Sequence, residues 1–127
     1  ELRALSTSRF SHDNVSNVIA VESGLENSVA AAFGDTLNAS LIPNGGSQWW
    51  EGSLTHINHP EGTEPLSKYV SAPPQLEAAL SGIGYVTEDD IAEKLSPSLQ
   101  PGQAIVSKKG YLWRWDGYRT DGNSAAS

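Results

Sequence analysis

His56 and His59 stand three residues apart, a spacing that metal sites use, with Glu61 and Glu64 close behind. They fall within "PNGGSQWWEGSLTHINHPEGTEPL", a stretch rich in Pro, Gly and Asn with no sustained period, so a loop is expected to carry them and no metal centre is predicted. Glu88, Asp89, Asp90 and Glu93 form a second group of carboxylates. Their position at the start of a helical pattern assigns them to the positive end of a helix dipole rather than to acid–base work. No G-x-x-x-x-G-K-[ST] phosphate loop and no G-x-S-x-G elbow occurs. The residues therefore predict no enzyme, no cofactor and no metal.

The densest chemistry lies near the C-terminus, in "KKGYLWRWDGYRTDG", Lys108 to Gly122. It holds two of the four tryptophans, two of the four tyrosines and four of the eight basic residues. A ring set this dense leaves two readings open, an amphipathic edge hairpin whose rings cap the chain's own core, or an edge strand meant to be paired by a partner. Alternation puts Tyr111, Trp113 and Trp115 on one strand face and Leu112, Arg114 and Asp116 on the other. An aromatic edge with modest charge is a liability unless something covers it. Gly110, Gly117 and Gly122 punctuate the stretch, and Gly117 and Gly122 would let another backbone approach.

The elements that position this stretch read as α/β. "ELRAL" resembles the frayed end of a helix, and "SRFSHDN" breaks it. "NVIAVE", Asn17–Glu22, reads as a buried strand. In "SGLENSVAAAFG", Ser23 and Glu26 have capping-box spacing, Leu25, Val29, Ala32 and Phe33 share a stripe, and Gly34 is a stop. "TLNASLI", Thr36–Ile42, alternates as a second strand, and a short strand over Leu54–Ile57 is a candidate within the loop. "APPQLEAALSGIG" is a helix with Pro74 in its first turn and a stop at Gly82 or Gly84. "YV" is a strand. "TEDDIAEKL" is a helix with Thr87 as cap and Asp90 closing the box, and two final strands flank a turn at Lys109-Gly110. Two small strand-helix-strand halves sharing one core are expected, about 15–58 and 66–122.

Composition bounds the partners. At 127 residues the chain is one domain or two small halves on one core. The absence of cysteine excludes a disulfide scaffold and a thiolate metal site and fits a reducing compartment. No apolar run reaches membrane-span length. The net charge is −7, which argues against general nucleic-acid binding, but Lys94–Arg119 carries +4 and the remainder −11. Lys108, Lys109, Arg114 and Arg119 are thus candidate contacts for weak, sequence-blind DNA binding.

The order "VIAVESGLENSVAAAFGDTLNASLI", then "PLSKYVSAPPQLEAALSGIGYVTEDDIAEKL", then "AIVSKKGYLWRWDGYRTDG" resembles the hinge domain of bacterial, condensin-type structural maintenance of chromosomes (SMC) proteins, over about Val15 to Gly122. It departs from that pattern at Asp116-Gly117 and Asp121-Gly122, where paired glycines are common. The resemblance implies an SMC-hinge-like α/β (α+β mixed) fold and a non-catalytic role. Two hinges would join as a homodimer by strand pairing between opposite halves, linking coiled-coil arms for chromosome condensation and segregation in the cytoplasm, on the nucleoid. Residues 1–14 would then be the stub of the incoming coiled-coil helix and its linker, and 123–127 the start of the outgoing one or a tail. ATP and kleisin would be engaged only through other parts of a longer chain. Interface residues expected are Gly110, Tyr111, Trp113, Trp115, Gly117, Tyr118 and Gly122. A competing reading from the residues alone is a secreted carbohydrate-binding module stacking sugars on Trp49, Trp50, Trp113 and Trp115.

Overall fold

A computed structural model describes residues 2–4 and 14–122. Two sheets carry the fold. The first has three strands in the order β1 (Leu2–Ala4), β2 (Ala20–Glu22), β4 (Val70–Ser71), all antiparallel. The second has five, in the order β3 (Glu64–Pro65), β5 (Ile83–Val86), β6 (Ala104–Ser107), β7 (Leu112–Arg114), β8 (Arg119–Thr120). Among the described strands only β5 and β6 run parallel, joined across helix α4 (Asp89–Leu95). Both strands are buried along their whole length. Their near-continuous apolar runs, "IGYV" and "AIVS", are what a parallel pair covered on both faces requires.

The larger core lies between the sheets and helix α2 (Glu26–Phe33). Val15, Ile19, Val21 and Val29 from the first part of the chain meet Ile83, Val106 and Leu112 from the second. A smaller core on the opposite face of the five-stranded sheet gathers Val86, Ala92, Ile105 and Trp113 under α4. One core spanning both halves is thus as expected. The halves interleave, however. β3 joins the second sheet, and the chain then returns to close the first sheet with β4, although Val70 and Ser71 lie within the expected second half.

Several local expectations are corrected. Leu2–Ala4 is not helical but pairs with β2, from Leu2 opposite Glu22 to Ala4 opposite Ala20. The rest of the expected incoming stub, and residues 123–127, lie outside the described residues. Asn17–Glu22 divides into a helical turn, α1 (Val15–Val18), and β2. Thr36–Ile42 forms no strand. Past Gly34, at φ 55°, the chain coils into a 3-10 turn over Gly34–Asn38. Thr36 Oγ1 donates to the Phe33 carbonyl at 2.5 Å and Asn38 Nδ2 to Asp35 Oδ1 at 3.1 Å. A short polar side chain that bonds its own backbone, as Thr36 does, competes with a sheet ladder, and here it prevails. The alternate Leu37, Ala39 and Leu41 still turn toward the core.

Neither expected capping box forms. The residue before α2 is Leu25, and Glu26 Oε1 instead accepts the Gly24 N–H at 2.9 Å. Glu88, not Thr87, precedes α4. The helix over Pro74–Ser81 is present as a 3-10 turn (Pro74–Leu76) continuing into α3 (Glu77–Ser81), with Pro74 at its start and Gly82 at its end.

The middle segment is irregular, with no strand at Leu54–Ile57, yet it is held. Gly82 and Gly102 leave a slot filled by Ile57, where an added Cβ would come within 3.0 Å and 2.7 Å of its side chain. Ile57 N–H donates to Ser81 Oγ at 2.9 Å, and Gln103 Nε2 to the Asn58 carbonyl at 2.8 Å. Gly84 leaves room for Thr63, whose Oγ1 would lie 2.0 Å from an added Cβ.

Candidate functional site

The C-terminal stretch folds as two successive turns. After β6 the chain reverses through Lys108–Gly110, with Gly110 at φ 92° packed on Asn27, and enters β7. It reverses again through Trp115-Asp116-Gly117 into β8, so β8, not β7, is the sheet edge. Gly117 takes φ 90°, a backbone that L side chains rarely adopt. Its N–H donates to the Arg114 carbonyl at 3.0 Å, and Arg114 N–H donates to the Tyr118 carbonyl at 3.0 Å. Arg114 grips Asp116 in a fork, Nε to Oδ1 at 2.9 Å and Nη2 to Oδ2 at 3.0 Å. That hydrogen bonding holds the Asp116 carboxyl below its ordinary range and raises Arg114. The same guanidinium lies over the Tyr118 ring, 4.6 Å from its centre.

The rings part company. Trp113 is 1% exposed, buried among Val86, Ala92 and Ile105 with Tyr111 stacked on it at 6.1 Å. Leu112, on the other face of β7, is buried in the larger core. The expected alternation exists, but both faces are covered, Trp113 by the smaller core under α4 and Leu112 by the larger core, and β6 and β8 take both edges. Trp113 is therefore corrected: its ring belongs to its own core and is not offered to a partner. Gly110 is buried as well. Trp115 is 47% and Tyr118 50% exposed, at the tip and at the entry to the edge strand. Gly117 faces open space, and an added Cβ at Gly122 would sit 3.0 Å from the chain's own Lys109 carbonyl. Gly110, Gly117 and Gly122 thus have reasons internal to this fold for carrying no side chain.

Of the four cations, three have acidic partners. Arg114 holds Asp116, Arg119 Nη2 meets Glu93 Oε2 at 2.5 Å, and Lys109 Nζ lies 4.0 Å from Asp89 Oδ2. Arg119 also lies over the Trp113 ring at 5.4 Å. Lys108 is exposed and has no ion pair among the described residues. Two acids read as helix-start charges thus tie α4 to the hairpin. Contacts across 20 or more residues carry no periodicity, which is why the sequence does not reveal them.

Elsewhere, Glu64 accepts from the Tyr69 hydroxyl and pairs with Lys68 at 3.2 Å, and both bonds hold its carboxyl below the ordinary range, that to Tyr69 first. His59 Nδ1 lies 3.1 Å from Thr63 Oγ1. No group of three metal ligands exists among the described residues. Trp50 donates from Nε1 to the Thr36 carbonyl at 3.1 Å and packs edge-on against Phe33 at 6.1 Å, while Trp49 Nε1 donates to Glu51 Oε1 at 2.8 Å. With Trp113 buried, the four tryptophans form no sugar platform, and the carbohydrate reading is set aside.

Among the described residues four sheet edges remain, β1, β4, β3 and β8. β3 is blunted by Pro65 and by the Glu64–Lys68 pair. β4 carries neither a proline nor an ion pair, and β8 carries no proline, only the Arg119–Glu93 pair. A groove of about 450 Å³ runs beside β4, between Val70–Ala72, the His56–His59 segment and α3. A second, of about 340 Å³, runs beside β8 under the end of α2.

No protein-family model matches the chain. Solved structures share the architecture. A Pyrococcus furiosus Smc hinge domain with an extended coiled coil superposes with a TM-score of 0.66, at 13% identity over 84% of this chain and 48% of that one. An asymmetric dimer of the Geobacillus stearothermophilus SMC hinge domain gives 0.59, at 14% identity over 80% and 55%. The fold is that of an SMC hinge. In sequence, the chain is 37% identical over 102 residues to the chromosome partition protein Smc of Rhodopseudomonas palustris and 38% identical over 112 residues to that of Cereibacter sphaeroides. These alignments cover 79% and 86% of the chain but about a tenth of each relative. The chain belongs to the SMC family, as a hinge domain of the bacterial Smc type.

Proposed function

We propose that this chain joins two SMC arms as a homodimer, with the β8 edge of one copy pairing with the β4 edge of the other, twice about a twofold axis. The observation that carries this reading is the pair of proline-free edges on different sheets, each beside a groove. One likeness is to an SMC hinge described as a dimer, and another to a hinge with an extended coiled coil, which supports the arms. In this reading residues 1–14 and 123–127 lead into the arms, and β1 lies where the incoming segment meets the first sheet. The whole protein acts in chromosome partition in the cytoplasm, on the nucleoid, and ATP and kleisin are met by its other parts. The hinge itself catalyses nothing.

DNA contact, in the same reading, narrows to Lys108 and to Lys109, whose pair with Asp89 is the longest of the three at 4.0 Å. Arg114 and Arg119 are engaged by Asp116 and Glu93.

The test is molar mass by light scattering across a dilution series. A specific dimer buries about 1,000 Å² or more and persists into the low micromolar range. A monomer at high micromolar concentration in ordinary salt overturns the proposal.

A further inference from the structure

Two-residue edge strands present a difficulty. β4 and β8 supply few backbone hydrogen bonds, and far less buried area than the roughly 1,000 Å² a specific interface requires. Something beside the strands must contribute. The exposed large apolar side chains nearest β8 are Trp115 and Tyr118, four and one residues before Arg119. They sit on a turn that the Arg114–Asp116 fork and the Arg114–Tyr118 stack hold stiff. A stiff aromatic turn loses little conformational entropy on docking, which is the character of an interface anchor.

We infer that the Trp115–Tyr118 turn of one copy inserts into the 450 Å³ groove beside β4 of a second copy. The inference rests on the strand-pairing reading and goes beyond it, because it assigns the groove an occupant. If β8 lies along a partner's β4, Trp115 falls within about 13 Å of the pairing point, at about 3.3 Å per residue. The groove is lined on both sides of β4, by Pro65 and Ser67 before it and Ala72 after it. Parallel and antiparallel pairing therefore both carry the turn along the groove. Its walls suit the rings: Val70, Ala72 and Leu80 offer apolar contact, and Glu77, Ser67 and Ser71 offer acceptors for the Trp115 indole N–H and the Tyr118 hydroxyl. The rings are half covered already, so four of them across a twofold dimer would add roughly 300–500 Å² of buried aromatic surface, before counting the groove walls they cover.

The experiment places the photo-crosslinking residue p-benzoylphenylalanine at position 115 of the chain, in parallel with Trp115→Ala and Tyr118→Ala, and measures molar mass and crosslinked peptides. The expected result is a dimer whose crosslinks map to 65–72 or 77–81 of the other copy, and a dimer dissociation constant raised at least tenfold by either alanine. Both side chains are half exposed, so the alanine variants keep the monomer fold, which circular dichroism verifies. A dimer without such crosslinks, unaffected by either alanine, overturns this inference and leaves the strand pairing intact. A wild-type monomer overturns both.

Discussion

Trp113 and Trp115 stand two residues apart, and alternation gives them one face, yet they serve different ends. Trp113 is sealed between α4 and the five-stranded sheet, while Trp115 stands out from a turn. The difference arises at Arg114, where β7 ends. Beyond it the Asp116 fork and the positive φ of Gly117 swing the chain out of the sheet. A period-2 pattern holds only while the strand lasts. The lesson extends to the whole C-terminal stretch: β6 and β7 are core, and only the turn and β8 remain for a partner.

Three measurements sharpen or break that division. The largest effect is expected at Trp113. Trp113→Ala removes a fully buried ring and should lower unfolding free energy by about 3–5 kcal/mol in urea titration, whereas Trp115→Ala, measured where the chain is monomeric, should change it by no more than about 0.5 kcal/mol. Equal losses would erase the distinction.

A smaller contrast separates two glycines. Gly84→Ala puts a methyl into Thr63, at 2.0 Å from Oγ1 and 2.5 Å from Cβ, and overpacking of this kind costs about 1–3 kcal/mol. Gly117→Ala meets no atom within 4 Å and bears only its left-handed backbone, about 1–2 kcal/mol. Thermal melts of the two variants should rank Gly84→Ala as the less stable. The reverse order would mean that the held middle segment is looser than its contacts imply.

The smallest effect concerns DNA. With Lys108 and Lys109, the latter held by Asp89 only at 4.0 Å, meeting phosphate, duplex binding at low salt should show a log–log salt slope of about −2, and Lys108→Glu with Lys109→Glu should abolish it. Equal binding by wild type and the double variant, or none by either, removes DNA from this domain. A slope steeper than about −3 would mean that Arg114 and Arg119 leave their acids to meet phosphate.

Much of the second half was legible because its signals are local and agree. Pro74 at a helix start, Gly82 at its end and two continuous apolar strands around an amphipathic helix all speak of neighbours within a few residues. The first half was less legible because local signals conflicted. Thr36–Ile42 alternates like a strand, but Thr36 and Asn38 bond within their own turn, and only the fold could weigh one against the other. The middle segment read as unheld because its anchors are glycines that lack side chains, and a residue acting by absence leaves no pattern.

From composition and order alone came the α/β class, a core shared by both halves, the helices α2, α3 and α4, the aromatic C-terminal strands and the family. These follow from periodicity, from glycine and proline positions and from residue order, all properties of the chain in one dimension. Tertiary structure decided which strand is the edge, which tryptophan is core and which cations are engaged. Those depend on what packs against each side chain from far along the chain, as when Glu93 meets Arg119 and Val70 crosses back to close the first sheet. Burial and electrostatic pairing are set by distance in space, and sequence separation does not encode it.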